Sequence, residues 1–232
     1  MGAESIVIDT DHDIINDLSR KRAHREVLCC IQDESSRPHL VGIEVVCSSW
    51  SRARRAPLDS KFPSPLRSIG KYIWGLPNLV GSDKEKCLAG NRMVRNAFEI
   101  IHLCIHLQIP GYLENPQTSM LFHVPAIKRL LKRKKAFLVV THMCQYQVPW
   151  KKPTTFLIWG APLGSIQLHR CQGSRCSASG KKHLQLTGAN RAGFMTRRAQ
   201  EYPLQLAEHL IDQFVAILDI RKEAETQSQL VV

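Results

Sequence analysis

Short β-branched runs alternate with helical stretches along this chain, and that alternation restricts the fold more than any other feature. "SIVIDT" and "HLVGIEVV" have the length and composition of buried strands. Between them "SRKRAHREVLCCIQDE" carries a helical pattern with Ser19 as its cap. "SDKEKCLAGNRMVRNAFEIIHLCIHLQ" is a longer helix, with Ser82 and Glu85 spaced as a capping box. "GYLENP" follows as a strand, then a helix over 118–133, then the strands "AFLVVTHM" and "TTFLIWG". "TRRAQEYPLQLAEHLIDQFVAILDI" closes as an amphipathic helix with Pro203 near its first turns, and "KEAETQSQLVV" reads as a frayed tail. Strand–helix alternation of this kind predicts an α/β layer fold with a mostly parallel sheet, in which reactive groups sit on loops beyond the carboxyl ends of strands.

One such loop draws attention. "EVVCSSWSRARR" climbs through an apolar run to Cys47, then passes Trp50 into Arg52, Arg54 and Arg55. Residues 51–81 hold Pro57, Pro63, Pro65 and Pro77, an irregular segment of a length that tends to carry function. A cysteine at a strand end is most often a small packed hydrophobe. A thiol facing clustered cations is also the setting in which cysteine becomes a nucleophile. Charge points the same way. The chain carries 32 Lys and Arg against 20 Asp and Glu, a net +12, which favours a polyanionic partner. "IKRLLKRKK" concentrates Lys128, Arg129, Lys132, Arg133, Lys134 and Lys135, either as a solvated helix face or as a phosphate-facing surface.

Three stretches, each after a predicted strand, belong together: "CSSWS" from Cys47, "LENP" from Leu113 and "CQYQVPWKKPTTF" from Cys144. In this order they resemble the cytosine 5-position DNA methyltransferase superfamily. "PLRS", "WGLP", "GN", "KKPT", "H-x-x-L-x-G" and "A-x-EYP-x-x-L" extend the likeness toward a divergent branch of phage and mobile-element proteins, over roughly residues 5–215. The resemblance implies a Rossmann-like methyltransferase fold with a mostly parallel sheet, lacking the first strand and Gly-rich turn. It implies S-adenosylmethionine-dependent DNA methylation of a flipped cytosine. Cys47 would add to the pyrimidine, with Arg52 and Arg54 lowering its pKa. Glu114 would bond the base, Asn115 would steady the loop, and Lys151 and Lys152 would stand near developing charge or backbone. Asp9, Asp11 and Asp17 would contact the cofactor, and Arg55 would join Arg52, Arg54, Lys128, Arg129, Lys132, Arg133 and Lys151 on the nucleic acid. Val46 stands where the family carries proline.

The implied division is a truncated methyltransferase-like core over 1–159, a Cys-, His- and Gly-rich insert or recognition segment over 160–195, a helix packing back over 196–220 and a flexible tail over 221–232. Within the insert, Cys171, Cys176 and His183 suggest zinc, with Cys144, His142 or His169 as a fourth ligand. DNA is the expected partner, with a second polypeptide as a source for the missing half of the cofactor site. The eight cysteines at irregular spacing and an acidic opening, "MGAESIVIDTDHD", fit an intracellular protein, nuclear in a eukaryote, with no membrane association. The alternative is a non-catalytic nucleic-acid-binding remnant of a mobile-element protein. A third reading, a metal-dependent nuclease built on Asp9, Asp11 and Asp13, lacks a partner carboxylate.

Overall fold

A computed structural model describes residues 18–52, 64–186, 189–190, 193–194, 199 and 201–230. Helix α1 (Lys21–Gln32) begins after Arg20, with no side-chain cap. Strand β1 (Val41–Glu44) leads through Val45 and Val46 into a single 3-10 turn at Cys47–Ser49. Helix α2 (Gly81–His106) starts after Val80, also without a side-chain cap, so the expected capping box at Ser82 is not made. Strand β2 (Gly111–Pro116) is followed by a 3-10 turn at Met120–His123 and helix α3 (Pro125–Lys132). Helix α3 is shorter than its sequence pattern suggests. Pro125 fits its first turn, where no amide hydrogen is needed. Strands β3 (Ala136–His142) and β4 (Pro153–Trp159) come next, then a two-residue pair, β5 (Ala189–Asn190) and β6 (Gly193–Phe194). Helix α4 (Leu204–Leu230) starts directly after Pro203 and continues through the stretch read as a frayed tail.

The main sheet has the order β1-β2-β4-β3. Only β1 and β2 pair in parallel; β4 runs antiparallel to both β2 and β3. The expectation of a mostly parallel, Rossmann-like sheet is therefore corrected to a mixed sheet with two antiparallel ladders and one parallel ladder. The cause lies in the β3–β4 connection. Residues 143–152 form only a 3-10 turn at Met143–Tyr146 and an irregular return. A parallel partner would need a longer crossover, usually a helix, to bring the chain back to the starting edge.

The sheet is covered on both faces. Ile43, Val45, Leu113, Leu157 and Trp159 pack with residues of α2 and α3. Phe156 and Ile158 pack on the other face with Leu206, Leu210 and Phe214 of α4. The close approach of β1 and β2 requires glycine at 111. A Cβ there would lie 2.3 Å from both the Trp159 ring and the Val41 carbonyl. Among the described residues, no helix is long and apolar enough to cross a membrane.

Candidate functional site

Strands β1, β2 and β3 all end at one rim of the sheet, and β4 begins there. Glu44 and Glu114 are register partners across the parallel β1–β2 ladder, so Glu114 and the Cys47 turn arise from adjacent strand ends. The alternation of β2 places Tyr112 and Glu114 toward α4 and Leu113 and Asn115 toward α2. Asn115 then ties the two strand ends together, its side-chain amide donating to the Val45 carbonyl at 2.6 Å. The Trp50 amide closes the turn by donating to the Cys47 carbonyl at 2.9 Å.

Glu114 is 7% exposed and one of its carboxyl oxygens has no hydrogen-bond partner. Burial drives its pKa up to about 7, with Lys152 pulling it down, Glu44 pushing it up and Tyr202 lowering it. The buried Tyr202 hydroxyl beside it also lacks a partner of good geometry, and its pKa is driven well up by burial and then by Glu114. Buried polar atoms normally find partners; here the Tyr202 hydroxyl and the Glu114 carboxyl act on each other, and one carboxyl oxygen is left without a partner.

The Cys47 thiol is exposed, yet protein crowds it enough that burial raises its pKa. Glu114 raises it further and Lys152 opposes both effects. Of the two arginines expected to lower this pKa, Arg54 lies outside the described residues and Arg52 is not among the groups acting on the thiol; among the described residues the cation that acts on it is Lys152, and the shift is upward. Lys152 has φ 23°, a left-handed backbone that costs a non-glycine residue energy, and its ammonium donates to the Ala199 carbonyl. Cys47, Glu114, Asn115 and Lys152 thus converge on one rim. Tyr202 and Glu44 join them, although no role was assigned to either; the "EYP" stretch was the available signal for Tyr202.

Other expected residues are placed less closely. Arg52 is exposed just beyond the Cys47 turn, and Lys128, Arg129, Lys132 and Arg133 are exposed on and just after α3. Arg52 and Lys128 both act on His123, whose pKa falls through burial first and these two cations next, so the turn and the start of α3 share one positive face. Lys151 donates to the Gly173 carbonyl at 3.4 Å. Asp9, Asp11, Asp13, Asp17, Arg54 and Arg55 lie outside the described residues.

A second cluster adjoins the rim. Cys144, on the turn after β3, meets Cys171, Cys176 and His183, with all four ligand atoms within 4.8 Å of one another. The structure thereby selects Cys144 as the fourth member. His142 is used otherwise, its Nδ1 accepting from the Cys171 amide at 2.8 Å, and His169 stacks on His209 at 4.9 Å. The set suits a metal ion. Tetrahedral geometry with ordinary zinc bond lengths puts a thiolate and an imidazole nitrogen about 3.5 Å apart. Cys171 Sγ and His183 Nε2 are separated by 3.5 Å. His183 Nδ1 lies 3.0 Å from the Ser174 carbonyl, which holds the proton on that nitrogen and leaves Nε2 free to ligate. Gly180, at φ 69°, allows the tight return in which its amide donates to the Cys176 carbonyl at 2.7 Å. Burial pushes the Cys171 thiol up, but hydrogen bonds led by the Ser177 backbone outweigh it and bring the pKa to about 6. Hydrogen bonding led by Ser179 brings Cys176 to about 7, whereas burial lifts Cys144 to about 12. Two of the three thiols are thus prepared as thiolates, the form that binds metal.

Comparison of the chain with protein families, with curated proteins and with solved structures finds no match.

Proposed function

We propose that the rim binds an extruded pyrimidine of a nucleic acid, and that the protein is a cytosine 5-position methyltransferase using Cys47 as nucleophile. The observation that carries this reading is the convergence of the thiol with a buried carboxyl that has one oxygen without a hydrogen-bond partner and a pKa near 7. A carboxyl in that range holds a proton for part of the population at neutral pH. Glu114 can therefore donate to ring nitrogen 3 of cytosine, drawing electrons from carbon 6. Cys47 loses its proton to solvent water and its sulfur bonds to carbon 6, while the electrons of the carbon 5–carbon 6 double bond move onto carbon 5. Burial and then Glu114 raise the pKa of the thiol, and the Lys152 charge opposes them in favour of the thiolate. S-adenosylmethionine, when bound, supplies an electrophilic methyl group to that carbon; Asp9, Asp11 and Asp17, its candidate contacts, lie outside the described residues. Solvent water then takes the carbon 5 proton, the electron pair left behind re-forms the carbon 5–carbon 6 double bond and expels the Cys47 thiolate, and ring nitrogen 3 returns its proton to Glu114. Asn115 takes no part in the chemistry and holds the two strand ends in register.

We assign zinc to the Cys144, Cys171, Cys176 and His183 cluster, because three thiolates and one imidazole in a closed set suit a structural zinc site. Its place beside Lys151 and Lys152 gives it the task of fixing the β3–β4 connection.

The test is covalent capture. The protein is incubated with a DNA duplex and a matching RNA, each carrying 5-fluorocytosine, plus labelled methyl donor, because fluorine blocks the final elimination. Wild-type protein forms a denaturation-resistant adduct and Cys47→Ala forms none. An adduct of equal yield with the alanine variant, or none with the wild type on either nucleic acid, rejects the reading.

A further inference from the structure

The Cys47 turn is gripped from behind by a buried arginine. Arg67, in "PLRS", is 2% exposed. Its Nε donates to the Ser49 carbonyl at 2.9 Å. One terminal nitrogen donates to the Ile73 carbonyl at 3.0 Å and to Asn91 Oδ1 at 2.6 Å. The other donates to Ser49 Oγ at 3.1 Å and to the Cys87 carbonyl at 2.9 Å. Those five bonds match the five donors of a guanidinium, and every acceptor is neutral. Its central carbon lies 3.6 Å from the centre of the Trp50 ring. Gly90 makes room, since a Cβ there would fall 2.3 Å from Ser49 Oγ and 3.0 Å from an Arg67 nitrogen.

Burying a cation among neutral acceptors is a poor way to gain stability, because the desolvation cost is not returned by an opposite charge. Burial lowers the Arg67 pKa to about 10, which still leaves it charged at neutral pH. The feature that repays this cost is geometric: one rigid fork joins the turn to the 67–76 loop and to α2. The far side of the turn is held by Asn115 on the Val45 carbonyl. Between these two grips, Val46 has φ −51° and ψ 113°, and its amide donates to the Met93 sulfur at 3.4 Å. That φ lies in the range a proline ring imposes.

We propose that Arg67 is the positioning residue for Cys47, holding from behind a turn whose backbone angle nothing in residue 46 enforces. The consequence for catalysis rests on the nucleophile reading above; the positioning itself does not. The experiment therefore reads the thiol directly. Alkylation of Cys47 is followed peptide by peptide by mass spectrometry across neutral and alkaline pH, with exposed Cys29 as internal reference. In Arg67→Lys, a single ammonium cannot serve five acceptors, so the turn loosens, the thiol hydrates and moves from Glu114. Its titration midpoint falls toward that of an ordinary thiol, and its rate at neutral pH relative to Cys29 rises about threefold or more. Adding Val46→Pro to that variant restrains the turn by a second route and returns the profile to that of the wild type. Val46→Pro alone leaves the profile unchanged. Ser49→Ala, which removes one of the five bonds, shifts the profile in the same direction as the lysine variant and serves if that variant does not fold. A lower melting temperature with an unaltered Cys47 profile in Arg67→Lys and Ser49→Ala, or a proline that restores stability without restoring the profile, overturns the proposal. Failure of covalent capture alongside the expected alkylation pattern would reject the pyrimidine chemistry and leave the role of Arg67 standing.

Discussion

Glu114 carries the clearest energetic signature of any single residue. Its pKa rises to about 7, chiefly through burial, so between the ordinary carboxylate range and that value the folded chain holds a proton that the unfolded chain has released. The sign follows from linkage. The stability associated with this proton is fully present below the unfolded pKa and is lost as pH rises through the folded one. The span amounts to a loss on the order of 3 kcal/mol by about pH 8. Glu114→Gln removes the titration and keeps the shape. Its melting temperature is therefore expected to match the wild type near pH 5 and exceed it near pH 8. Thermal denaturation of the two proteins at both values checks this, and parallel pH profiles would contradict it. A residue kept at such a cost in a strand end, opposite a second glutamate, is better explained by a ligand than by packing.

At the scale of elements, the Cys144, Cys171, Cys176 and His183 cluster is one of the links between the 165–184 segment and the β3–β4 turn, beside the packing of Ile166 and Leu168 on Met143 and Tyr146. Direct bonds outside its four members also hold the joint, among them the Thr141 hydroxyl to the His169 carbonyl at 2.7 Å, the His169 amide to the Tyr146 hydroxyl at 3.1 Å and the Leu184 amide to the Pro149 carbonyl at 2.7 Å. The isolated protein is expected to carry one zinc per chain by atomic emission, and cobalt in its place to give tetrahedral thiolate absorption. Chelation should raise hydrogen exchange at 142–152 and 165–184 while β1 and β2 stay protected. Cys144→Ser should weaken metal retention sharply, whereas the same change at Cys104, buried on α2 far from the set in the fold, should not. Elements were readable from sequence where local chemistry decides them. "HLVGIEVV", "AFLVVTHM" and "TTFLIWG" became β1, β3 and β4 and "GYLENP" became β2, whereas "SIVIDT" lies outside the described residues. The reversed direction of β4 was not readable from its own residues, because direction is set by how the chain returns from β3. Cys144 shows the same limit: three ligands sit in one short stretch, but the fourth comes from a different turn and stood level with His142 and His169. Arg67 was visible only as a member of the "PLRS" stretch. Its burial depends on Ser49, Ile73, Cys87 and Asn91, which no local pattern brings together.

At the scale of the whole molecule, the question is whether the excess of positive charge is general or aimed. The two ends of the sheet answer differently. At the carboxyl rim, Arg52 and Lys128 both act, after burial, on His123, so the reactive turn and the start of α3 carry positive charge near the same side chain. At the opposite end, Lys134 and Lys135 line a shallow hollow with Gln108, Gly160 and Arg221, away from Cys47 and Glu114. Both sets are exposed and both count equally toward +12. A polyanion drawn only by net charge would feel them alike. One whose base enters the rim would lay its backbone across Arg52, Lys128 and Arg129 and leave the far hollow largely untouched. Counterion release separates these cases, since each phosphate contact adds about 0.9 to the slope of log affinity against log salt for a duplex and about 0.7 for a single strand. Replacing Arg52, Lys128 and Arg129 with glutamine should lower the slope by about 2 to 3. Replacing Lys134 and Lys135 in the same way should change it by well under one. Fluorescence anisotropy titrations over a range of salt give the slopes. Equal losses from the two sets would show that the rim does not direct the nucleic acid, and the base-extrusion reading would lose the surface it requires.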